Sequence, residues 1–345
     1  MNLKFVKIAF LFLTLVLIVW LFVVNARPLE KYREKNEFAK VPITVDICLD
    51  KGADTKRTAR ILDDIWQLNR DIYSRMSNDF TDSDIAKINR SFKNPQKISE
   101  DTIKVLNAAI KYKKITNGSF DVSVRSLTEL WSKCERENRL PTQEELAKAK
   151  AVMRLSQIKF LLGNRVELLN PQMRIDFNGI VSGYALDATV RMLHKKGVRN
   201  FLIDAGGDMY ASGRNCSRKP WTIAVRNPDD RSKILDVVMV SDLAVATSGG
   251  FEKYYAIGGR KFSHIINPTT GWPQKAVVSA TVIAPKAMDN NVLAEALCVL
   301  GPKEGIRLID SMGRGYASLV VTKDAAGRLM MHKSKLYTKY EMHKP

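Results

Sequence analysis

Hydrophobic and polar positions change period several times along the chain. Residues 8–24 form a run interrupted only by Thr14, with Lys4 and Lys7 ahead of it. Its 17 residues would make about 26 Å of helix at 1.5 Å per residue. That suits a short membrane anchor or a long signal segment over residues 1–26, and both remain open. Residues 27–40 are polar and charged and read as a linker. From residue 42 the period is two, with Ile43, Val45 and Ile47 set between polar neighbours, which predicts a half-buried strand over 42–49. The period then becomes helical over 55–75, where Ile61, Ile65, Leu68 and Ile72 share a face. Thr81 with Asp84, and Thr142 with Glu145, have capping-box spacing. Ser99 opens a helix that Asn117-Gly118 should stop.

Beyond residue 155 short apolar runs dominate. Residues 158–162 and 166–169 flank Gly163-Asn164 and predict a hairpin. Further strands are expected at 173–177, 201–205, 221–225, 236–240, 277–283, 316–322 and 329–332. Helices are expected at 184–196 and at 290–300, the second closed by Gly301-Pro302. Helices lead and strands follow, so the fold class is α+β, with mixed or antiparallel sheets packed on helices. The main domain should run over 41–335, with a basic tail at 336–345.

Composition narrows the function classes. The 345 residues carry 55 Lys and Arg against 36 Asp and Glu, a net charge of +19. The excess is spread along the chain without a zinc-finger or RRM-type motif, so nucleic acid is not the expected partner. A basic body tethered beside anionic headgroups would gain weak surface attraction. The four cysteines (Cys48, Cys134, Cys216 and Cys298) form no CxxC pair. A metal ribbon and a disulfide scaffold are both disfavoured, and Cys48 and Cys298 read as buried thiols. The lysines ahead of the apolar run are expected to place the body outside the cytoplasm.

Chemistry concentrates between residues 178 and 295. Four glycine-bearing segments stand out: Asn178 to Tyr184, Ala205 to Asp208, Thr247 to Gly250, and Ser263 to Gly271. The first sits between an expected strand and a helix, where backbone N–H groups can face a phosphate. Neither the G-x-G-x-x-G fingerprint nor a P-loop is present. His264 is the one histidine set among Ser, Asn, Thr and Gly, an environment that suits a general base. Asn291 and Glu295 are four apart on a helix and share a face, as two oxygen ligands of a hard cation would.

Taken in order, these segments resemble the FAD:protein FMN transferases, the ApbE family. The likeness is carried by residues 77–89 (SNDFTDSDIAKIN), by Asn117-Gly118-Ser119-Phe120-Asp121 with Leu130-Trp131, and by 176–187 (DFNGIVSGYALD). It continues through the Gly206-Gly207-Asp208, Ala246 to Gly249 and Ser263 to Gly271 segments and through 291–301. The resemblance implies a flavin transferase fold. It also implies cleavage of FAD with Mg²⁺, release of AMP, and FMN attached through a phosphoester to a Thr or Ser of an exported acceptor protein. Carried over residue by residue, it puts FAD against Ser77, Phe80, Phe120, Asp121, Asn178, Gly179, Ser182, Gly183, Tyr184 and Asp187. It adds Gly207, Asp208, Thr247, Ser248, Gly249 and Ile265 to that surface. It makes His264 the base and gives the metal to the Val181 carbonyl, Asn291 and Glu295. The chain departs from the pattern where the family has lysine (Ser182), its first glycine (Asn178), and its Asp and Thr metal ligands (Asn291 and Glu295). A swapped ligand set, with Glu295 as the anion, is the expectation. A flavin-binding protein that has lost transfer, acting as carrier or assembly factor, and an FAD pyrophosphatase are the alternatives.

Overall fold

Residues 12–17, 29–153, 157–250 and 253–342 are described by the computed structural model. The expected anchor or signal at 1–26 lies mostly outside them. Among the described residues no helix is long and apolar enough to cross a membrane.

Residues 12–17 are helical, and the body from residue 29 begins with a hairpin, β1 (Leu29–Phe38) and β2 (Val41–Asp50), turned by Ala39 and Lys40 at positive φ. This corrects the linker expected at 27–40. β1 is polar because it is an edge strand, and charges are tolerated and even favoured at an edge. They also have partners across the pair. Asp46, buried on β2, receives Arg33 through Nε and a second guanidinium nitrogen at 2.5 and 2.7 Å, and Lys31 at 2.9 Å. Burial alone would raise the Asp46 carboxyl, but the two cations outweigh it and hold it below its ordinary value.

Helix α1 (Thr55–Met76) follows, capped by Asp54, with Ile61, Ile65, Ile72 and Tyr73 buried on one face. The short α2 (Asp84–Ile88) is capped by Ser83, which accepts from Ala86 N, so Ser83 takes the place expected of Thr81. After the two-residue β3 (Gln96–Lys97) comes α3 (Glu100–Ile115), capped by Ser99 and stopped by Asn117 and Gly118 at positive φ. Helices α4 (Arg125–Arg136) and α5 (Gln143–Ala151) come next, and Thr142 and Glu145 form the expected capping box. The predicted hairpin is β4 (Ile158–Leu161) and β5 (Arg165–Leu168). Residues 173–177 are not a strand. Their amides are taken elsewhere: Ile175 N by the Asn89 side chain and Asp176 N by Val122 O.

Helix α6 (Val181–Lys195) starts nearly a turn earlier than its sequence pattern suggests. Strands β6 (Phe201–Ala205), β7 (Asp208–Ser212), β8 (Trp221–Arg226), β9 (Ile234–Val240) and β10 (Leu243–Gly249) follow. The hairpin β11 (Tyr254–Ile257) and β12 (Arg260–Ser263) precedes β13 (Val277–Ala284). Helix α7 (Ala287–Ser311) bends at Gly301, where φ is 75° and ψ 177°, and a second segment begins at Pro302. The expected stop is therefore real, but the helix opens three residues earlier and resumes after it. Strands β14 (Ala317–Lys323) and β15 (Leu329–Lys333) close the fold.

Eight strands form the main sheet in the order β1-β2-β6-β7-β10-β13-β14-β15, with antiparallel neighbours throughout. Side chains alternate between its faces. Ile43, Val45, Ile47 and Ile203 meet α1 and α6, and Ala280 and Val282 meet α7. On the other face Cys48, Ala211, Ile283, Leu319 and Val321 meet the β8–β9 hairpin and Tyr337. Residues 336–342, expected as a tail, are docked there: Tyr337 is buried and Met239 N donates to Tyr340 O. A satellite core around Trp131 joins α4 and α5 to the β11–β12 hairpin.

Cys48 is not a thiol. It is bonded to Cys216, 168 residues away, in the loop between β7 and β8. Sequence spacing could not show this, because the two meet only when β2 and the β7–β8 loop are brought to one end of the sheet. Cys134 and Cys298 are buried thiols. Replacing Cys48 and Cys216 together by Ala should lower unfolding stability by about 2–4 kcal/mol. Urea unfolding with and without reductant measures it: reductant should shift the natural chain and leave the double variant unmoved.

Candidate active site

The site is assembled where α6 crosses the start of α7. Gly183 has no side chain, and a Cβ there would stand 2.5 Å from both Ala287 O and Met288 Cα. One turn on, the Asp187 carboxylate accepts the N–H groups of Ala287 and Met288, at 2.8 and 3.2 Å. Those are orphan donors of the first turn of α7, so a side chain of α6 caps α7. Asp187, expected against FAD, thus has its carboxylate engaged inside the protein. The two contacts bring the N-terminus of α6 (Val181, Ser182 and Gly183) against the helix that carries Asn291 and Glu295.

Gly179 is needed for a similar reason. A Cβ on it would lie 2.2 Å from Glu295 Oε2 and 3.0 Å from Phe120 Cε2. The loop before α6, the buried Phe120 and the Glu295 carboxyl therefore meet at one point. Burial, and secondarily the nearby Asp176 carboxylate, push Glu295 up to about 7.

Asn291 is 9% exposed, and its Nδ2 donates to Asp208 Oδ2 at 2.9 Å. Its Oδ1 is buried and has no hydrogen-bond partner. Asp208 opens β7 after Gly206 and Gly207, both at positive φ, and the turn is held by Gly207 N donating to Asp204 Oδ1 at 2.8 Å. The Ser182 hydroxyl accepts from Tyr73 OH at 3.2 Å. Burial pushes that phenol up to about 12, and Asp208 adds to the rise.

Strand β10 borders the same region. Thr247 and Thr281 share a hydroxyl hydrogen bond at 2.8 Å, and the carbonyl of Ser248 accepts from the Cys298 thiol of α7 at 3.5 Å. Gly250, just beyond Gly249, lets Ser263 approach: a Cβ there would be 2.8 Å from Ser263 Oγ. That draws His264 to the end of β10. The imidazole Nδ1 lies 2.9 Å from the carbonyl of Lys253. With a carbonyl as partner Nδ1 carries the hydrogen, so the neutral ring has its lone pair on Nε2.

The segment at 77–80 joins through side-chain amides. Asn89 Nδ2 bonds both Asn78 Oδ1 and Ile175 O, which ties this loop to the approach to α6. Ser77 is buried and its Oγ accepts from Asp79 N, while Phe80 is 43% exposed. Asn178 is exposed and folded back on Asp176 through its backbone and side-chain nitrogens.

Three further expected FAD-site residues have other engagements, as Asp187 has. Asp121 is buried, paired with Lys113 at 2.5 Å and accepting from Ser123. Tyr184 turns toward Asp101 and Arg191. The Ile265 side chain belongs to the core beneath α7. Residue spacing does not by itself point to Tyr73 or Asp176. Tyr73 is hidden in the apolar stripe of α1, whereas Asp176 heads a segment already quoted for its pattern.

Two side chains here could serve as oxygen ligands of a hard divalent cation. The Asn291 oxygen is buried without a partner, and Glu295 lies on the same helix face, its carboxyl raised mainly by burial. Among the described residues no three His, Cys, Asp or Glu side chains gather into a metal-holding group. Asn291, Glu295 and the Val181 carbonyl would hold such an ion together with substrate oxygens, as Mg²⁺ sites commonly do.

The chain belongs to the ApbE family, whose model matches residues 40–320. The FAD:protein FMN transferase of Haemophilus influenzae is 30% identical over 272 residues, spanning 76% of this chain and 79% of that protein. Its namesake in Escherichia coli is 28% identical over 282 residues, covering 79% and 80%. The flavin transferase ApbE from Vibrio cholerae superposes with a TM-score of 0.78 at 26% identity, over 91% of this chain and all of that one. The ApbE protein of Thermotoga maritima gives 0.79 at 28% identity, with the same coverage.

Gly183→Ala should push the start of α7 off α6. The expected loss is about 1–3 kcal/mol, the usual range for overpacking, read by urea unfolding. An unchanged midpoint would show that the helices can separate at no cost.

Proposed function

We propose that this ApbE-family chain is an FAD:protein FMN transferase. It breaks the FAD pyrophosphate, joins FMN to a Thr or Ser hydroxyl of an exported acceptor, and releases AMP. The observation that carries this reading is the convergence, at one crossing of helices, of the α6 N-terminus, the unpartnered Asn291 oxygen and Glu295. The curated relatives named above act on FAD and a protein acceptor, and the chain spans most of their length.

The proposed roles follow from the geometry. The first turn of α6 offers backbone N–H groups and a positive dipole end to the pyrophosphate. Asn291, Glu295 and the Val181 carbonyl would hold Mg²⁺, which supplies neutralisation of phosphate charge. His264, with its ring turned by Lys253 O, takes the acceptor hydroxyl proton at Nε2. The hydroxyl oxygen bonds to the FMN phosphorus as the bond to the AMP phosphate oxygen breaks. Such a displacement depends on positioning and charge more than on covalent help from the protein. The FMN half would lie toward Phe80 and Phe120.

The second reading, a flavin carrier without transfer, is favoured by one observation: Ser182 stands where the family has lysine and is already bonded to Tyr73.

We also propose that residues 1–26 tether or export the chain, with the folded body outside the cytoplasm at a bacterial inner membrane. The Cys48–Cys216 disulfide supports this, since such bonds persist in oxidising compartments. Protease added to spheroplasts should then digest the body; full protection would reverse the assignment.

One gel separates the functional readings. The purified chain is incubated with FAD, Mg²⁺ and an acceptor bearing an S/T-G-A-S/T sequence. Transfer leaves a fluorescent flavin on the acceptor band. Free FMN with AMP and a dark acceptor would indicate a pyrophosphatase, and intact bound FAD a carrier. His264→Ala should reduce transfer about 10²–10⁴-fold while FAD still quenches on binding.

A further inference from the structure

An amide is a directional ligand in a way that a carboxylate is not. A carboxylate presents an oxygen whichever way it turns. Asn291 presents either its carbonyl oxygen or its NH₂, according to a half-turn about the last side-chain bond, and only the oxygen can face a cation. The terminal torsion is broad and roughly two-fold, so the backbone does not choose between the two faces. Something beside Asn291 has to choose.

That partner is Asp208. Its Oδ2 accepts from Asn291 Nδ2 at 2.9 Å, and the opposite atom of the amide, Oδ1, is left buried without a partner. A carboxylate is acceptor-only, so it can hold the NH₂ side and cannot hold the oxygen side. Asp208 is itself placed by a rigid turn: Gly206 and Gly207 both have positive φ, and Asp204 ties down the Gly207 amide. It reaches α7 from the start of β7, a strand of the sheet that packs against this helix.

We infer that Asp208 is a positioning residue that locks the Asn291 amide with its oxygen toward the cation site, so that an asparagine serves there as a neutral ligand. This rests on the cation reading given under Proposed function and concerns a residue that does not touch the ion.

The test measures Mn²⁺, used as a probe for the divalent site, by the loss of its free-ion paramagnetic resonance signal on titration into the full chain without FAD or acceptor. Mg²⁺ is added as competitor. Asp208→Ala removes the acceptor and should weaken Mn²⁺ binding about 10–100-fold, the usual effect of losing a partner that orients a ligand. Asp208→Asn removes the charge but keeps an acceptor oxygen, and should stay within a few-fold of the natural chain. Asp208→Ala with Asn291→Asp should regain most of the lost affinity, because a carboxylate needs no orienting. Asp208→Leu, also without an acceptor, covers the case in which Asp208→Ala does not fold, and thermal melting of each variant checks that. Asp208→Ala or Asp208→Leu binding as tightly as the natural chain would overturn the inference. So would Asp208→Asn binding as weakly as the acceptor-free variants, since charge alone would then explain the loss. No Mn²⁺ binding by the natural chain would remove the cation reading itself, a distinct failure that takes this inference with it.

Discussion

Helices α6 and α7 approach at Gly183 more closely than any side chain would allow, and the site depends on that approach. A Cβ at this position would overlap the backbone of Ala287 and Met288. The close approach lets Asp187 reach the first-turn amides of α7. Capping across helices fixes both the separation and the rotation of α7. The rotation in turn decides that Asn291 faces Asp208 and that Glu295 faces Gly179. A shift of one ångström at Gly183 would be felt by each of these contacts.

Around this crossing most buried polar groups are matched inside the protein. Asp187 accepts two backbone amides, Asp121 has Lys113 and Ser123, and Asp289 has the hydroxyls of Tyr112 and Tyr316. These carboxylates hold elements together. The Asn291 oxygen, like both amide atoms of the neighbouring Asn290, is buried and unmatched, and Glu295 holds its proton up to about 7. An unmatched buried acceptor costs about 1–3 kcal/mol, and a neighbouring carboxyl deprived of water adds to the local deficit of positive charge. The cation proposed for this site would match the Asn291 oxygen and the Glu295 carboxylate together.

The local signals in the sequence were good guides where a short-range rule governs. The stripe of α1, the caps at Ser99 and Thr142, the stop at Asn117-Gly118 and the β4–β5 hairpin all follow from spacing within a few residues. They failed where a distant partner changes the meaning of a residue. β1 reads as a linker because its charges suggest solvent, yet Lys31 and Arg33 belong to Asp46. Residues 173–177 have the apolar alternation of a strand, but Asn89 and Val122 take their amides. Cys48 sits among apolar neighbours like a thiol, while its bonding partner lies 168 residues on.

The candidate site divides in the same way. Sequence alone determined the α+β class, the family resemblance, and the presence of Asn291 and Glu295 on one helical face, because a period of 3.6 residues is a property of the chain itself. It also marked His264 and the glycine segments, whose residue types are chemically unusual in their setting. Only the tertiary structure decided that Asp187 caps a second helix, that Lys253 turns the His264 ring, and that Asp208 grips Asn291 by its nitrogen. Each of these depends on the direction of a hydrogen bond between elements far apart in the chain. Residue spacing carries no information about such directions; the packing of α6 on α7 and of both on the sheet supplies it.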